Sequence, residues 1–392
     1  MMTEVVYLRK MEKACLTIVL ILTLISCDNQ DDNSFWGNGE EYFAVEKVFT
    51  GGRFPNLVVA LDGTLVATWG NSRYEARRSS DGGVSWEPVI RVADPGFQGG
   101  GVIVDETTGD LLAFVEARHP IAPLTMYRSR DHGLSWTAEE IRIHPDENGK
   151  VPSMHMNERG ITLHRGPHPG RLIRPTRYYA NGNDRAQWPE HYTNAIYSDD
   201  GGKNWYTSAP FPARGTGEAA LEELSDGSIY YNSRRHLSTD GLDPRRRHIA
   251  WSYDGGETWE DLSVSPELPD GDQDRDYGLM GGLVRLPLDG HDILIFSNID
   301  SQGGRRNGTV WASFDGGKSW PVKRVVEKGD FAYSSMTAGR AGTPSEGMIY
   351  LFYEGADAGE TAGYVARFNL SWITQGRDWR DFLPSASSSE TN

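Results

Sequence analysis

Ser313-Phe314-Asp315-Gly316-Gly317-Lys318-Ser319-Trp320 decides how this chain is read, because the stretch recurs. Ser252–Trp259, Ser198–Trp205, Ser129–Trp136 and Ser79–Trp86 share its pattern, S-x-D-x-G-x-x-W. The five copies start at 79, 129, 198, 252 and 313, at intervals of 50, 69, 54 and 61 residues. Self-similarity on this scale signals a repeat architecture. The residue types say what the unit is. Asp bonds nearby backbone N–H groups and Gly accepts positive φ, which together make a tight turn. Trp pins that turn onto apolar packing. Strand-like runs lead into the turns, among them Asn194-Ala195-Ile196-Tyr197 and Thr309-Val310-Trp311-Ala312. Strand, turn and strand make a hairpin, and hairpins at this spacing imply four-stranded blades about an axis, a β-propeller.

The rest of the chain fits an all-β protein. Its 392 residues would hold two or three ordinary domains, but one propeller uses most of that length. The 45 glycines, 20 prolines and 11% aromatics suit strands and turns. A net charge of −16 argues against nucleic acid or an anionic membrane surface as partner. If the substrate is also an anion, its site must carry local positive charge. A monomer is expected.

The N-terminal run Leu16 to Ile25 is apolar, follows Lys10 and Lys13, and has signal-peptide length. It is too short for a comfortable membrane span. It ends Leu24-Ile25-Ser26-Cys27, which resembles a bacterial lipobox. That resemblance implies lipidation at Cys27 and an envelope location, with the membrane touched only through the anchor. The other cysteine, Cys15, lies inside the run, so the mature chain is expected to carry no disulfide. The expected divisions are a lipoprotein signal peptide over 1–27, an acidic tether over 28–41, the propeller over 42–384 and a disordered tail over 385–392.

The repeated turns resemble the Asp-box, or BNR repeat, of the sialidase superfamily. The resemblance implies a six-bladed propeller in which one blade lacks a clean turn. It also implies peripheral turns that serve the fold and not the chemistry.

Several side chains sit near strand ends, where a propeller builds its axial pocket. They are Arg53, Glu218, Arg234, Arg305, Tyr333 and Glu354. Their segments resemble, in order and spacing and over most of the chain, the exo-sialidases of glycoside hydrolase family 33. Arg53-Phe54-Pro55 stands where the family has Arg-Ile-Pro. Asp105–Gly109 matches its second-blade turn, and Arg159–Leu163 its third-blade approach. Glu218 through Arg234, Arg305–Val310, Ala332–Ser335 and Tyr353-Glu354 match the remaining motifs. The resemblance implies an exo-α-sialidase with a retaining mechanism and no cofactor or metal. Its substrate would be a glycan ending in sialic acid or a related 2-keto sugar acid. Tyr333 would be the nucleophile and Glu218 its base. Arg53, Arg234 and Arg305 would hold the substrate carboxylate, and Glu354 would orient Arg53. The chemistry is consistent, since planar guanidinium forks suit a carboxylate. A neutral Tyr nucleophile also avoids the repulsion that a carboxylate would meet.

One part of the family pattern is missing. The acid/base Asp has no counterpart in the first-blade loop Gly70-Asn71-Ser72-Arg73-Tyr74-Glu75. Glu75 is its only carboxylate, read either as the acid/base or as a solvated strand-end residue. On so short a loop it is expected not to replace the Asp fully, which favours substrates with good leaving groups. Glu116, His119, His155 and His191 are substitutes. The gap keeps a second class open, the propeller polysaccharide lyases that cut uronate glycans such as ulvan. They need Arg to neutralise the uronate, and His and Tyr for proton transfer. His155, Arg159, Arg174, Arg177, Tyr178, Tyr179, His191 and Tyr192 supply those types. A non-catalytic glycan-binding propeller is the third reading.

Overall fold

The computed structural model describes Trp36 and residues 39–384, apart from 183, 238, 239, 276 and 277. The expected signal peptide, Cys27 and the tail 385–392 lie outside the described residues. Six sheets of four or five strands follow one another along the chain, and their inner strands touch in ring order. This is a six-bladed β-propeller.

Burial explains why the strands read as they do. The innermost strand of blade one, Asn56–Val59, is buried at every position. Its two faces both meet protein, so it needs no polar alternation. The outermost strand of blade six, Phe43–Thr50, alternates exposed and half-buried residues over its first half. That strand closes the ring. Blade six takes Ser334–Ala338, Ile349–Asp357 and Glu360–Phe368 from the C-terminal side and Phe43–Thr50 from the N-terminal side. The pairing runs antiparallel from Phe43↔Phe368 to Thr50↔Ala362.

All blades run in the same sense. Innermost strands start, and second strands end, at one end of the axis, here called the upper face. The repeated turns join third strands to fourth strands, at the lower face. In blade four, for example, Ser252 ends the third strand and Glu260 begins the fourth. Blade six has no such turn because its fourth strand comes from the other end of the chain.

Within each turn the same bonds recur. The Ser252 hydroxyl donates to Asp254 at 2.7 Å and accepts from the Gly256 N–H at 2.8 Å. Asp254 also takes the Thr258 N–H at 3.0 Å and the Thr258 hydroxyl at 2.6 Å. The second glycine does more than turn the chain. Gly256 has φ +88° and faces blade three, where a Cβ would lie 2.0 Å from the Ile173 side chain. Gly83, Gly133, Gly202 and Gly317 likewise face the preceding blade around the ring. The turns are therefore joints between blades. Gly256→Ala is expected to cost about 3 kcal/mol, from a non-Gly residue at positive φ together with overpacking. A urea midpoint lowered at unchanged slope would register it.

The acidic segment expected to be a free tether is partly docked. Trp36 is 5% exposed and belongs to the large core cluster that includes Leu286 and Trp379. The Glu40 carbonyl accepts from Asn369 at 2.8 Å, and Glu41 pairs with Arg324 at 2.7 Å. Burying one indole outweighs the polarity of its neighbours.

Candidate active site

Strand ends at the upper face bring the candidate residues into linked pairs. Arg53 lies just before the first strand of blade one. Phe54 follows with φ +66°, a strained value for a residue with a Cβ. The buried Glu354 carboxylate, on the second strand of blade six, holds this turn in place. One oxygen accepts the Phe54 N–H at 2.7 Å and the other meets Arg53 Nη2 at 3.0 Å. Burial alone would weaken the Arg53 charge, but Glu354 outweighs it and raises the guanidinium above its ordinary value.

Tyr333 precedes the innermost strand of blade six and is 9% exposed. Arg305 Nη2 donates to its hydroxyl at 3.2 Å. The Arg305 and Arg53 guanidiniums lie 4.7 and 5.5 Å from its ring centre. Arg53, Arg305 and Glu354 also line a common cleft of about 440 Å³. Arg305 itself is exposed, so its loss would weaken anion binding by less than a buried partner would.

Glu218 and Arg234 form a buried ion pair on blade four. Burial opposes the Arg234 charge, but Glu218 and then Tyr333 more than offset it. The second Glu218 oxygen lies 3.8 Å from the buried Arg177. The expected hydrogen bond between Glu218 and the Tyr333 hydroxyl does not occur among the described residues. A buried carboxylate between two guanidiniums goes to the charges first.

Arg177, named in the sequence only for a lyase, joins this group through Glu218. Its Nη2 donates to Nδ1 of His191 at 2.8 Å and Nδ1 of His236 at 2.6 Å. Its Nη1 donates to the Tyr179 hydroxyl at 2.9 Å. A guanidinium has no lone pair to offer, so both rings accept at Nδ1 and carry their proton on Nε2. His191 then donates Nε2–H to the Ala180 carbonyl at 3.1 Å. Burial, followed by Arg177, pushes His191 down to about 3 and His236 well below the usual range. Burial, followed by His119, does the same to His155. These three rings stay neutral. No local motif signals the cluster, because His191 and His236 come from different blades.

The structure does not bring Glu75 into the group. Glu75 sits on the third strand of blade one and accepts from the Trp69 indole at 3.1 Å, with Arg91 4.0 Å away. It lines an outer groove with Lys47, Phe49 and Arg77. Strand alternation explains this, since Tyr74 beside it is turned into the core and Glu75 must face the other way. Glu116 is 2% exposed and pushed up to about 7 by burial. It is held by Ser153 at 2.6 Å.

The set expected for a lyase is split. His155, Arg177, Tyr179 and His191 gather here. Arg159 instead meets Glu222 in a cavity lined by residues from the lower ends of the inner strands. Arg174 is buried over the Phe114 ring, and Tyr192 donates to Asp146 at 2.6 Å. Tyr178 packs at a tilt against Tyr192, with ring centres 5.0 Å apart.

Comparison with known proteins adds three findings. A BNR repeat-like domain matches residues 77–351. A sialidase of Micromonospora viridifaciens is 31% identical over 359 residues, 82% of this chain and 52% of that protein. A sialidase of Bacteroides fragilis is 27% identical over 338 residues, 73% of this chain and 57% of that protein. The chain thus spans about half the length of these curated relatives. Among solved structures, a Hadza microbial sialidase superposes with a TM-score of 0.61 at 23% identity, covering 80% of this chain and 65% of that one. The leech intramolecular trans-sialidase with 2,7-anhydro-Neu5Ac superposes with a TM-score of 0.67 at 15% identity, covering 85% and 71%. These structural likenesses establish the fold.

Proposed function

The chain belongs to the BNR repeat-like sialidase family, and from that premise we propose that it is a retaining exo-α-sialidase. The observation that carries the reading is the meeting of Arg53, Arg305 and Tyr333 beside the Glu218–Arg234 pair. A sialic acid presents a carboxylate on the carbon that reacts. Arg53 and Arg305 flank the Tyr333 ring, so an anion held by them sets its anomeric carbon near the Tyr333 hydroxyl. Arg234 is the third cation. Tyr333 attacks the anomeric carbon, its proton goes to Glu218, the glycosidic carbon–oxygen bond breaks with its electron pair on the leaving oxygen, and a covalent glycosyl-enzyme forms. Water then releases the sugar with its anomeric configuration retained.

The Glu354 grip on Arg53 and the Phe54 N–H supports the same reading, because it fixes the clamp before substrate arrives. The test is incubation with an aryl sialoside, a sialyl oligosaccharide and a panel of uronate polysaccharides. Release of a free 2-keto sugar acid is expected. An unsaturated uronate absorbing in the ultraviolet would establish a lyase instead, and binding without product a lectin.

A further inference from the structure

The upper-face loop between the second and third strands of blade two, residues 117–123, carries a ring that the mechanism above does not use. In blade one the matching loop is the short stretch 70–73, and Glu75 beyond it faces an outer groove. In blade two the loop holds His119 half-buried. Its ring lies 5.7 Å from Phe97, 5.0 Å from His155 and 5.8 Å from Tyr179. Phe97 in turn lies 5.3 Å from Phe54, and Phe54 lies 5.7 Å from Tyr333. His155 also lies 5.5 Å from Phe54, so His119 and Tyr333 border one aromatic cluster.

His119 Nδ1 is 2.9 Å from the Pro120 carbonyl oxygen. A carbonyl only accepts, so Nδ1 keeps a proton and Nε2 is the atom that gains and loses one. No hydrogen bond engages Nε2 among the described residues. His155, His191 and His236 are all committed at Nδ1 and buried. Glu116 is held beneath the loop by Ser153 and the Met154 N–H.

We infer that His119 is the catalytic proton-transfer residue on the leaving-group side, in place of the aspartate that the first blade lacks. The inference rests on the sialidase reading above. In the first step imidazolium Nε2 gives its proton to the glycosidic oxygen. That carbon–oxygen bond breaks and its electron pair stays with the leaving oxygen. Tyr333 forms the new bond, and its own proton passes to Glu218. In the second step neutral Nε2 takes a proton from water as the water oxygen bonds the anomeric carbon. The bond to Tyr333 breaks, and the phenolate recovers its proton from Glu218. All three side chains end as they began, and the net change is hydrolysis.

The groups that face His119 set its pH dependence. They are Arg177 and Tyr179 from blade three, His155 from the segment before it, Glu218 from blade four, and Glu116 at the end of its own strand. Burial is the largest influence and, with Arg177, holds His119 below 6.5, while the Pro120 carbonyl and Glu218 pull the other way. The imidazolium needed first is therefore gained as pH falls.

The experiment compares kcat/KM for a sialyl oligosaccharide, whose leaving group needs a proton, and an aryl sialoside, whose leaving group does not. His119→Ala is expected to lower the first by ~100-fold or more and the second by less than about tenfold. The wild-type oligosaccharide profile should rise as pH falls through a pKa below 6.5, and the variant should lose that limb. Equal losses on both substrates, no loss, or a surviving limb would overturn the inference. So would Glu116→Gln reproducing the selective loss. If His119→Ala is unstable by thermal melting, His119→Gln takes its place with the same criteria. A wild-type protein inactive on both sialosides overturns the sialidase reading itself, which is a separate result.

Discussion

Replacing Tyr333 by Phe is expected to cut sialoside turnover by on the order of 10⁴-fold while binding of the free sugar acid persists. The ring stays, and with it the contacts to Phe54 at 5.7 Å and the Arg305 guanidinium at 4.7 Å. What goes is one hydroxyl, the only part of the side chain that can form the glycosyl bond. The binding partners of a carboxylate stay in place, since Glu354 still holds Arg53 and Arg305 loses only its 3.2 Å bond to the hydroxyl. Calorimetric titration of the free acid beside turnover of an aryl sialoside separates the two effects. A variant that keeps more than about a tenth of its turnover would remove Tyr333 from the chemistry.

Glu218→Ala should be the most destabilising change at the site. The carboxylate is buried and shared between Arg234 and Arg177. Taking one partner from a buried ion pair typically costs about 3–5 kcal/mol. Arg234→Ala should cost less, because Glu218 then keeps Arg177 3.8 Å away. Urea unfolding of the two variants gives the order directly. A Glu218→Ala loss below about 1 kcal/mol, or the reverse order, would mean that water already serves these charges.

The repeat was legible because each turn uses a local code. Ser, Asp and Gly bond within eight residues, so no distant partner is needed to recognise them. The role of the second glycine was not legible, because Ile173 and the other contacts lie on another blade. The Arg53–Glu354 pair was legible through the family resemblance of its two segments, although its residues are 301 apart. Arg177 was legible only beside His191 in the lyase set, because its partners His236 and Glu218 join it only after two blades pack. Glu75 was misplaced by a single step of strand alternation. Sequence order gave no warning of this, since Tyr74 and Glu75 are both plausible residues for an exposed strand end.

The ring-closing strand also fixes which way the site points. Phe43–Thr50 begins beside Phe368 and rises to Thr50, three residues before Arg53. The described residues just before Phe43 therefore lie underneath the ring, while the Arg53 and Tyr333 end opens on the opposite side. Any surface gripped through the N-terminal segment would carry the propeller like a cup on its foot, mouth toward the medium. Large glycans on neighbouring cells or in solution could then reach the reactive end without the support standing in their path. An attachment at the same end made without this strand would carry no such guarantee of facing.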